Sequence, residues 1–445
     1  MEKKEQWSSR LGFILSSAGA AIGLGAIWKF PYVTGQSGGG AFLLLFILFT
    51  LLIGLPMLIS EFIIGRGSGR EAVSAYKKLA PASFWTITGK LGVAGCFLLL
   101  SFYSVVGGWV LTYTVMSLGG QVIKGGADYG ALFGQITGSP FITISGLAAF
   151  LLINIIVIAS GVKNGIEKAS KYMMPLLFLF FIVLVIRSLT LDGAMEGVRF
   201  FLQPDFSKIT AEAVLYALGQ SFFSLAVGFS CMVTYSSYLN KKVSIPTSAG
   251  SVALMNIFVS VLAGLAIFPV VFAFGFEPAE GPGLLFIVLP SVFSQMPFGE
   301  LFLFMFLVLF LFATLTSSFS LLEIIVAAFL KNGATRKRLA IIAGIIVFFA
   351  GIPAALSSSV LANVQFLDKT VFDATDFLVS NILLPLGNLL IALFIAWKMN
   401  QQLVKEEFMS GRQLSPGTYS AWHLLMKWIV PLTIIIVFIN TLGLF

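Results

Sequence analysis

Two apolar segments of this sequence contain residues that could bind an ion or a small solute. Thr316 and Ser317 are adjacent in one segment, and their hydroxyls are hard oxygen ligands of the kind that suit Na⁺. Gly23 and Gly25 flank Leu24 in the other, and each glycine costs a helix about 1 kcal/mol relative to alanine. A helix that breaks there frees carbonyl groups for a cation and N–H groups for an anion. The alternatives are hydroxyls that bond to their own helix and glycines that permit close helix packing.

A second interruption lies in a later apolar segment, over residues 224–229, which read Ser-Leu-Ala-Val-Gly-Phe. If the two interrupted segments occupy corresponding positions in two halves of the chain, both breaks lie at a similar depth. Paired breaks of this kind are typical of the midplane binding site of a secondary transporter.

The composition indicates that these segments cross a membrane. The 445 residues are 58% hydrophobic and only 10% charged, whereas a soluble domain carries about 25% charged residues. The net charge of +8 resides in short connections, where it sets membrane orientation, so no nucleic-acid partner is expected. Cys96 and Cys231 both lie in apolar runs, and we expect them to be small buried hydrophobic residues without a disulfide.

Eleven apolar segments reach the roughly 20 residues that a membrane-spanning helix needs. They cover residues 11–35, 40–64, 88–117, 141–160, 166–190, 213–239, 248–274, 300–330, 339–356, 375–398 and 422–443. Most of the 27 Lys and Arg residues fall in alternate connections, which places the N-terminus inside and the C-terminus outside. The Pro-rich stretch 277–299 is predicted to be an outer loop with a re-entrant helical piece.

Several motifs of this chain resemble the neurotransmitter:sodium symporter family, in its bacterial branch of eleven- and twelve-span amino-acid transporters. They are Trp7 with Arg10-Leu11-Gly12, Gly19 to Pro31, Gly38 to Phe42, Pro56 through Glu61 to Arg66, Lys163 to Lys168, Gly219 to Tyr238, and Leu315 to Ser318. The resemblance implies an all-α polytopic membrane protein forming one transporter domain over 1–445. Its two inverted five-helix repeats would span 11–190 and 213–398, with spans 1 and 6 broken and 422–443 as an extra helix.

The resemblance also implies two sodium sites, of which one is complete. The family's second site corresponds to carbonyls of Gly19, Ile22 and Ala313 and hydroxyls of Thr316 and Ser317. The first site retains Ala21, Ser224 and Asn256, but Ala26 stands where family members have a coordinating Asn.

The chloride site of the family is altered as well. Gln220, Ser224 and Ser260 remain, whereas Phe46 replaces a tyrosine. One hypothesis is that one sodium and the compensating chloride have both been lost, leaving one Na⁺ per substrate. The alternative is a first site completed by water, with two Na⁺, and chloride dependence stays open at this stage.

The implied substrate is a small amino acid bound between the broken helices. The corresponding residues are Ala21, Leu24, Gly25, Leu99, Tyr103, Phe223, Ser224, Ala226, Phe229 and Leu321. The N–H groups of Leu24 and Gly25 and the Tyr103 hydroxyl would receive a carboxylate, and carbonyls of Ala21, Phe223 and Ser224 an ammonium group. Monoamine carriers of the family have an Asp at the position of Gly23, so an α-amino acid is expected, and the apolar lining favours an aliphatic or aromatic one.

Two gates are implied by the same resemblance. Lys29 and Asp376 correspond to the outer ion pair, with Tyr103 and Phe223 as an aromatic lid. On the inner side the corresponding residues are Trp7, Arg10, Ser237 and Tyr238, while Lys4 and Lys331 are both basic where family members have an ion pair. Gly165 and Pro175 could let span 5 unwind and admit water to the sodium site, or Pro175 could make a fixed kink.

The sequence therefore predicts a sodium-coupled symporter that imports a hydrophobic α-amino acid across the cytoplasmic membrane of a bacterium. One alternative is proton coupling through the intramembrane acids Glu61 and Glu323, which could share a proton. The other is an amino-acid sensor that does not transport. No nucleophile–base set, metal motif or nucleotide loop suggests an enzyme, and no protein partner is implied.

Overall fold

The computed structural model describes residues 5–123, 128–276, 283–330, 334–411 and 415–441. Within these ranges the chain is almost entirely helical, and the one regular sheet is a hairpin of β1 (Gln365–Phe366) and β2 (Lys369–Thr370). The predicted all-α polytopic membrane fold is confirmed. The helices are α1 (Arg10–Ala21), α2 (Gly25–Gln36), α3 (Gly40–Ser68), α4 (Ala72–Leu79), α5 (Thr86–Leu118), α6 (Tyr129–Gly138), α7 (Pro140–Ala159), α8 (Val162–Leu189), α9 (Ala194–Leu202), α10 (Ala211–Ser224), α11 (Cys231–Ser236), α12 (Ile245–Ala273), α13 (Leu284–Ser294), α14 (Gly299–Phe329), α15 (Arg336–Ala355), α16 (Val371–Lys398), α17 (Gln401–Met409) and α18 (Pro416–Asn440).

Nine of the described helices are long and apolar enough to cross a membrane, and α1 with α2 forms a tenth span bent by 52°. The sixth predicted span, 213–239, is not one helix, because α10 ends at Ser224 and α11 begins at Cys231. Neither piece alone is long enough to span, which accounts for the difference from the eleven predicted segments. The short apolar helix α13 lies where a re-entrant piece is predicted. The division into repeats over 11–190 and 213–398, with 422–443 outside them, stays a prediction.

The break between α1 and α2 lies at the glycines that predicted it. Ile22 leaves the helical conformation with φ −82° and ψ 85°, and its N–H donates to the Ala18 carbonyl at 2.6 Å. A Cβ atom on Gly23 would lie only 2.7 Å from the Tyr103 hydroxyl, so a side chain would clash there. The glycine thus allows the backbone to approach α5 closely as it leaves the helix.

The break between α10 and α11 is held by an acid from another helix. Ala226, Gly228 and Ser230 all have positive φ, at 52°, 104° and 58°. The buried carboxylate of Glu61 on α3 accepts N–H bonds from Gly228 at 2.7 Å and from Met232 at 3.1 Å. A carboxylate at the start of α11 satisfies N–H groups that have no partner within the helix.

The helices form two packing groups around these breaks. Helix α5 packs mainly on α4, α7, α14 and α15, whereas α11 packs mainly on α3, which also contacts α10 and α12, and makes a smaller contact with α14. Helix α1 contacts α8, α12 and α14. The broken helices therefore lie where the two groups meet.

Candidate substrate and sodium sites

A central cavity of about 40 Å³ lies beside the break between α1 and α2. All predicted substrate residues line this cavity except Ser224. The lining members of that set are Ala21, Leu24, Gly25, Leu99, Tyr103, Phe223, Ala226, Phe229 and Leu321. Ala20, Gly23, Cys231, Ser317 and Leu384 line it as well and are missing from the predicted set. Ala20 and Gly23 could be predicted from the sequence, because both lie within the motif Gly19 to Pro31. No local sequence pattern marks Leu384.

One end of the cavity is polar and suits an anion. The Leu24 N–H donates to the Tyr103 hydroxyl at 3.4 Å, and Tyr103 is buried. Helix α2 begins at Gly25, and the first N–H groups of a helix lack intrahelical partners. These groups and the Tyr103 hydroxyl offer donors at the positive end of a helix, which is where a carboxylate is stabilised.

The opposite end of the cavity is apolar, and its volume is small. Leu99, Phe229 and Leu321 are buried there with Leu384. A space of this size has room for only a few water molecules in this conformation. A hydrophobic amino acid would have to push these side chains apart to enter.

Carbonyl and hydroxyl oxygens converge where α1 ends against α14. The Ser317 hydroxyl lies 3.0 Å from the Gly19 carbonyl oxygen and 3.1 Å from that of Ala20. The Thr316 hydroxyl lies 3.2 Å from the Ala313 carbonyl oxygen, and a Cβ atom on Gly19 would lie 3.2 Å from the same hydroxyl. Ile22 follows directly at the end of α1, so the predicted second sodium site brings together neutral oxygens at the negative end of a helix. The Ala20 carbonyl is an addition that the sequence did not single out.

The residues of the predicted first sodium site include an oxygen without a partner. Asn256 and Ser224 are fully buried, and the Asn256 amide donates to the Ser224 hydroxyl at 3.0 Å. The Asn256 Oδ1 atom has no hydrogen-bond partner among the described residues. A buried acceptor of this kind marks a place for a cation or a water. Ala26 is also buried, and it offers no side-chain oxygen.

The predicted chloride residues are engaged within the protein. The Gln220 amide donates to the Gly25 carbonyl at 2.5 Å, and the Ser260 hydroxyl donates to the Asn256 carbonyl at 3.0 Å. Phe46 packs on Phe30 with ring centroids 4.8 Å apart. These donors already have acceptors, which leaves few groups for an anion.

The predicted outer gate is closed over the cavity. Lys29 Nζ lies 3.7 Å from an Asp376 carboxylate oxygen and 5.0 Å from the centre of the Phe223 ring. The other Asp376 oxygen accepts the Ser380 hydroxyl at 2.7 Å. Beyond the ion pair is a vestibule of about 300 Å³. Phe223 and Leu384 line both spaces, so these two side chains separate the vestibule from the central cavity.

The inner side is closed by contacts between the residues before α1 and α11. Trp7 Nε1 donates to the Tyr235 carbonyl at 2.8 Å, and the Trp7 ring lies 6.3 Å from that of Tyr238. Two predicted members do not join this network. Arg10 is exposed with no ion pair among the described residues, and the Ser237 hydroxyl bonds to its own helix at Thr234.

An ion-pair cluster that the sequence did not predict holds the inner side instead. Arg336 bonds to the buried Glu323 through two nitrogens, and its Nε atom lies 3.3 Å from a Glu5 oxygen. The Tyr238 hydroxyl donates to Glu323 at 2.8 Å. Lys4 and Lys331, which occupy the family's ion-pair positions, lie outside the described residues. In the sequence Arg336 is one of several basic residues in a short connection, and no local pattern marks its pairing with Glu323 and Glu5.

The two intramembrane acids, Glu61 and Glu323, form hydrogen bonds with different partners, which contradicts a proton shared between them. Glu61 accepts backbone N–H groups at the start of α11, whereas Glu323 is bound to Arg336 and Tyr238. No hydrogen bond joins Glu61 to Glu323 within the described part of the chain.

Gly165 and Pro175 both lie within α8, which is continuous in this conformation. Between them, Glu167 accepts the Ser8 N–H at 2.7 Å and forms an ion pair with Lys171 at 2.7 Å. The Ser8 hydroxyl also bonds to Glu167. The residues ahead of α1 are therefore tied to the part of α8 that would unwind.

A model of the sodium:neurotransmitter symporter family matches residues 4–124 and 138–445 of this chain. The chain belongs to that family. The fold is similar to the crystal structure of MhsT in complex with L-phenylalanine, with a TM-score of 0.92 and 42% sequence identity, covering 99% of this chain and 100% of that one.

Relatives by sequence include members of the family from bacteria and animals. A sodium-dependent transporter of Bacillus subtilis (strain 168), YhdH, is 54% identical over 99% of this chain and 98% of its own length. A sodium- and chloride-dependent GABA transporter of Drosophila melanogaster is 27% identical over 75% of this chain and 40% of its own length. This member of the sodium:neurotransmitter symporter family is therefore a multi-pass membrane transporter and not an enzyme.

Proposed function

We propose that this protein is a sodium-coupled symporter that imports a hydrophobic α-amino acid by alternating access. The central cavity carries the proposal, because it joins helix-start N–H groups and the Tyr103 hydroxyl to an apolar end formed by Leu99, Phe229 and Leu321. A free amino acid with a carboxylate and an apolar side chain matches both ends. MhsT, which is similar to this chain throughout, is described in complex with L-phenylalanine.

The proposed coupling ion is one Na⁺ held by Gly19, Ile22, Ala313, Thr316 and Ser317. A cation there would interact with the negative end of α1 and with hydroxyls of α14, so it would hold the two helices together. Substrate donors lie just beyond the same break, at Leu24 and Gly25. Sodium binding would thus order the backbone that receives the carboxylate, which couples the two ligands.

Alternating access would work through the two closed sides. Opening the Lys29–Asp376 pair and the Phe223 lid would connect the cavity to the vestibule. Opening the Trp7 and Arg336 contacts, with unwinding between Gly165 and Pro175, would release sodium and substrate inward. Because Glu167 lies in that segment and binds Ser8, unwinding would also free the residues ahead of α1.

The arrangement of acids favours sodium over protons as the coupling ion. Glu323 is paired with Arg336, and Glu61 is occupied by N–H groups at a helix start. The presence of two gates favours a transporter over a sensor. By the charge bias of its connections, the protein would lie in the cytoplasmic membrane of a bacterium with its N-terminus inside and C-terminus outside.

Uptake of labelled amino acids into proteoliposomes tests this proposal. We expect accumulation of an aliphatic or aromatic amino acid under an inward Na⁺ gradient and none when choline replaces Na⁺. The Lys29→Ala variant, which removes the outer ion pair, should impair uptake under the same gradient. Accumulation driven by a pH gradient without Na⁺ would contradict the proposal, and binding without accumulation would favour the sensor.

A further inference from the structure

The only two cysteines of this 445-residue chain are in contact. Cys96 and Cys231 are 135 residues apart in sequence, yet their Sγ atoms lie 3.6 Å from each other. Both are buried, as the sequence predicts, and both are free thiols in this structure. What the sequence could not predict is that they form a pair.

The pair bridges the two packing groups at the central cavity. Cys231 is the first residue of α11 and lines the cavity, whereas Cys96 lies on α5 behind it. Helix α11 packs mainly on α3, with a smaller contact to α14, and α5 packs mainly on α4, α7, α14 and α15. A covalent bond between these cysteines would therefore tie α11 to α5 beside the cavity and restrict relative movement of the two groups.

We propose that Cys96 and Cys231 form a redox-sensitive dithiol whose oxidation by a peroxide locks the transporter closed. The effect on transport depends on the proposed symport function, whereas the disulfide itself does not. In this structure both sides of the cavity are closed, by Lys29 with Asp376 and by Arg336 with Glu323. A bond formed here would retain that closed arrangement.

The chemistry needs only the two thiols and one peroxide. One cysteine sulfur attacks the O–O bond of hydrogen peroxide, which gives a sulfenic acid and releases one water. The second thiol then attacks that sulfur, the S–S bond forms, and a second water leaves with the remaining thiol proton. Two thiols are oxidised by two electrons, and one peroxide is reduced to two waters.

The local backbone allows the sulfur atoms to close the remaining gap. A disulfide needs about 2.05 Å between sulfurs, so the pair must approach by about 1.5 Å. Cys231 directly follows the non-helical residues 225–230, which lack a helical hydrogen-bond ladder and are held at Gly228 by the Glu61 carboxylate. The cavity gives a small oxidant a route to Cys231 when either side opens.

The test is peroxide treatment of the full-length protein in proteoliposomes, with thiols titrated after denaturation. We expect the wild type to lose both thiols and two hydrogen atoms by intact mass, to lose most of its Na⁺-driven uptake, and to recover it with a thiol reductant. The matched control is Cys96→Ser, which keeps Cys231 in the cavity and whose uptake should survive peroxide. If Cys96→Ser does not fold, Cys96→Ala serves the same purpose.

The outcomes separate this inference from the proposed function. Thiols that stay titratable after peroxide, or a disulfide that leaves uptake unchanged, would overturn the lock. Equal inhibition of Cys96→Ser would also overturn it, because a lone Cys231 cannot form the bond within one chain. If untreated protein shows no Na⁺-driven uptake at all, the symport proposal fails, while thiol loss still reports whether the pair is oxidised.

Discussion

Each proposed ligand of the sodium site is a neutral oxygen, and this choice of residues suits a monovalent ion. A carboxylate would add a buried charge that must be compensated when the ion leaves, which is costly in the membrane interior. The Thr316 and Ser317 hydroxyls instead donate hydrogen bonds to carbonyl oxygens of α14 and α1. The hydroxyl oxygens therefore have partners both without sodium and with it, so a site of this kind would bind and release the ion readily.

Removing one of these oxygens should weaken sodium binding selectively. In Thr316→Val the hydroxyl ligand is replaced by a methyl group of similar size. A hydrogen-bonding group that contacts a charge contributes about 1.5–3 kcal/mol, so we expect the sodium concentration for half-maximal uptake to rise ~10–100-fold. The matched control is Thr314→Val on the same helix, whose hydroxyl bonds to the Leu311 carbonyl at 2.9 Å. Equal sodium dependence of the two variants would show that Thr316 is not a ligand.

A second residue-scale prediction concerns the altered first site. Asn256 Oδ1 lacks a hydrogen-bond partner within the described ranges, and Ala26, which the family resemblance assigns to the same site, contributes no side-chain oxygen. If the protein uses one Na⁺, the Hill coefficient for sodium in the wild type should be near one. Ala26→Asn should then raise it toward two. Ala26→Leu, of similar volume but without an oxygen, separates ligation from overpacking, and a wild-type coefficient near two would mean that the first site is intact.

The residues of the site differ in how far the sequence could predict them. Phe229 lies within the motif Gly219 to Tyr238, whereas Tyr103 and Leu321 are predicted only by their correspondence to family positions. Leu384 and Arg336 are not predicted, because neither lies in a local pattern: Leu384 lines the cavity beside residues far away in sequence, and Arg336 pairs with Glu323 from the preceding helix and with the distant Glu5. Arg10 was assigned to the inner network by its motif, but its side chain is exposed.

At the scale of elements, the two broken helices show what local signals can and cannot predict. The break beside Gly23 is a local matter of glycine conformation and close approach, so the sequence located it to within a few residues. The break before α11 depends on Glu61, which is 167 residues from the Gly228 N–H that it accepts. The residue types at 224–229 predict a weak point in the helix there, but they cannot identify the acid that stabilises it.

The inner closure is also a property of elements, because Arg336 begins α15 and Glu323 lies on α14. Removing one partner of a buried ion pair costs about 3–5 kcal/mol, since the other charge is left without compensation. Arg336→Gln should therefore destabilise the inward-closed state and raise the external sodium concentration needed for half-maximal uptake. Arg338→Gln, an exposed arginine of the same helix, is the control. Indistinguishable behaviour of the two variants would remove the cluster from the gating mechanism.

At the scale of the whole molecule, the charge that the proposed transport cycle moves determines how the membrane potential acts on substrate accumulation. A zwitterionic amino acid carries no net charge, so the charge moved per cycle equals the charge of the co-transported ions. With Gln220 and Ser260 engaged in internal hydrogen bonds, we expect no chloride to travel with the substrate. One Na⁺ without chloride moves one positive charge.

This charge predicts the dependence of accumulation on voltage. One elementary charge across 100 mV is worth about 2.3 kcal/mol, which is ~50-fold in the equilibrium accumulation ratio. Proteoliposomes with equal Na⁺ on both sides and a K⁺ diffusion potential of about 100 mV, inside negative, should therefore accumulate substrate about 50-fold. Replacing chloride by gluconate on both sides should change nothing. Transport of two Na⁺ without chloride would give the square of this accumulation ratio. Accumulation that does not depend on the membrane potential would contradict the one-ion mechanism.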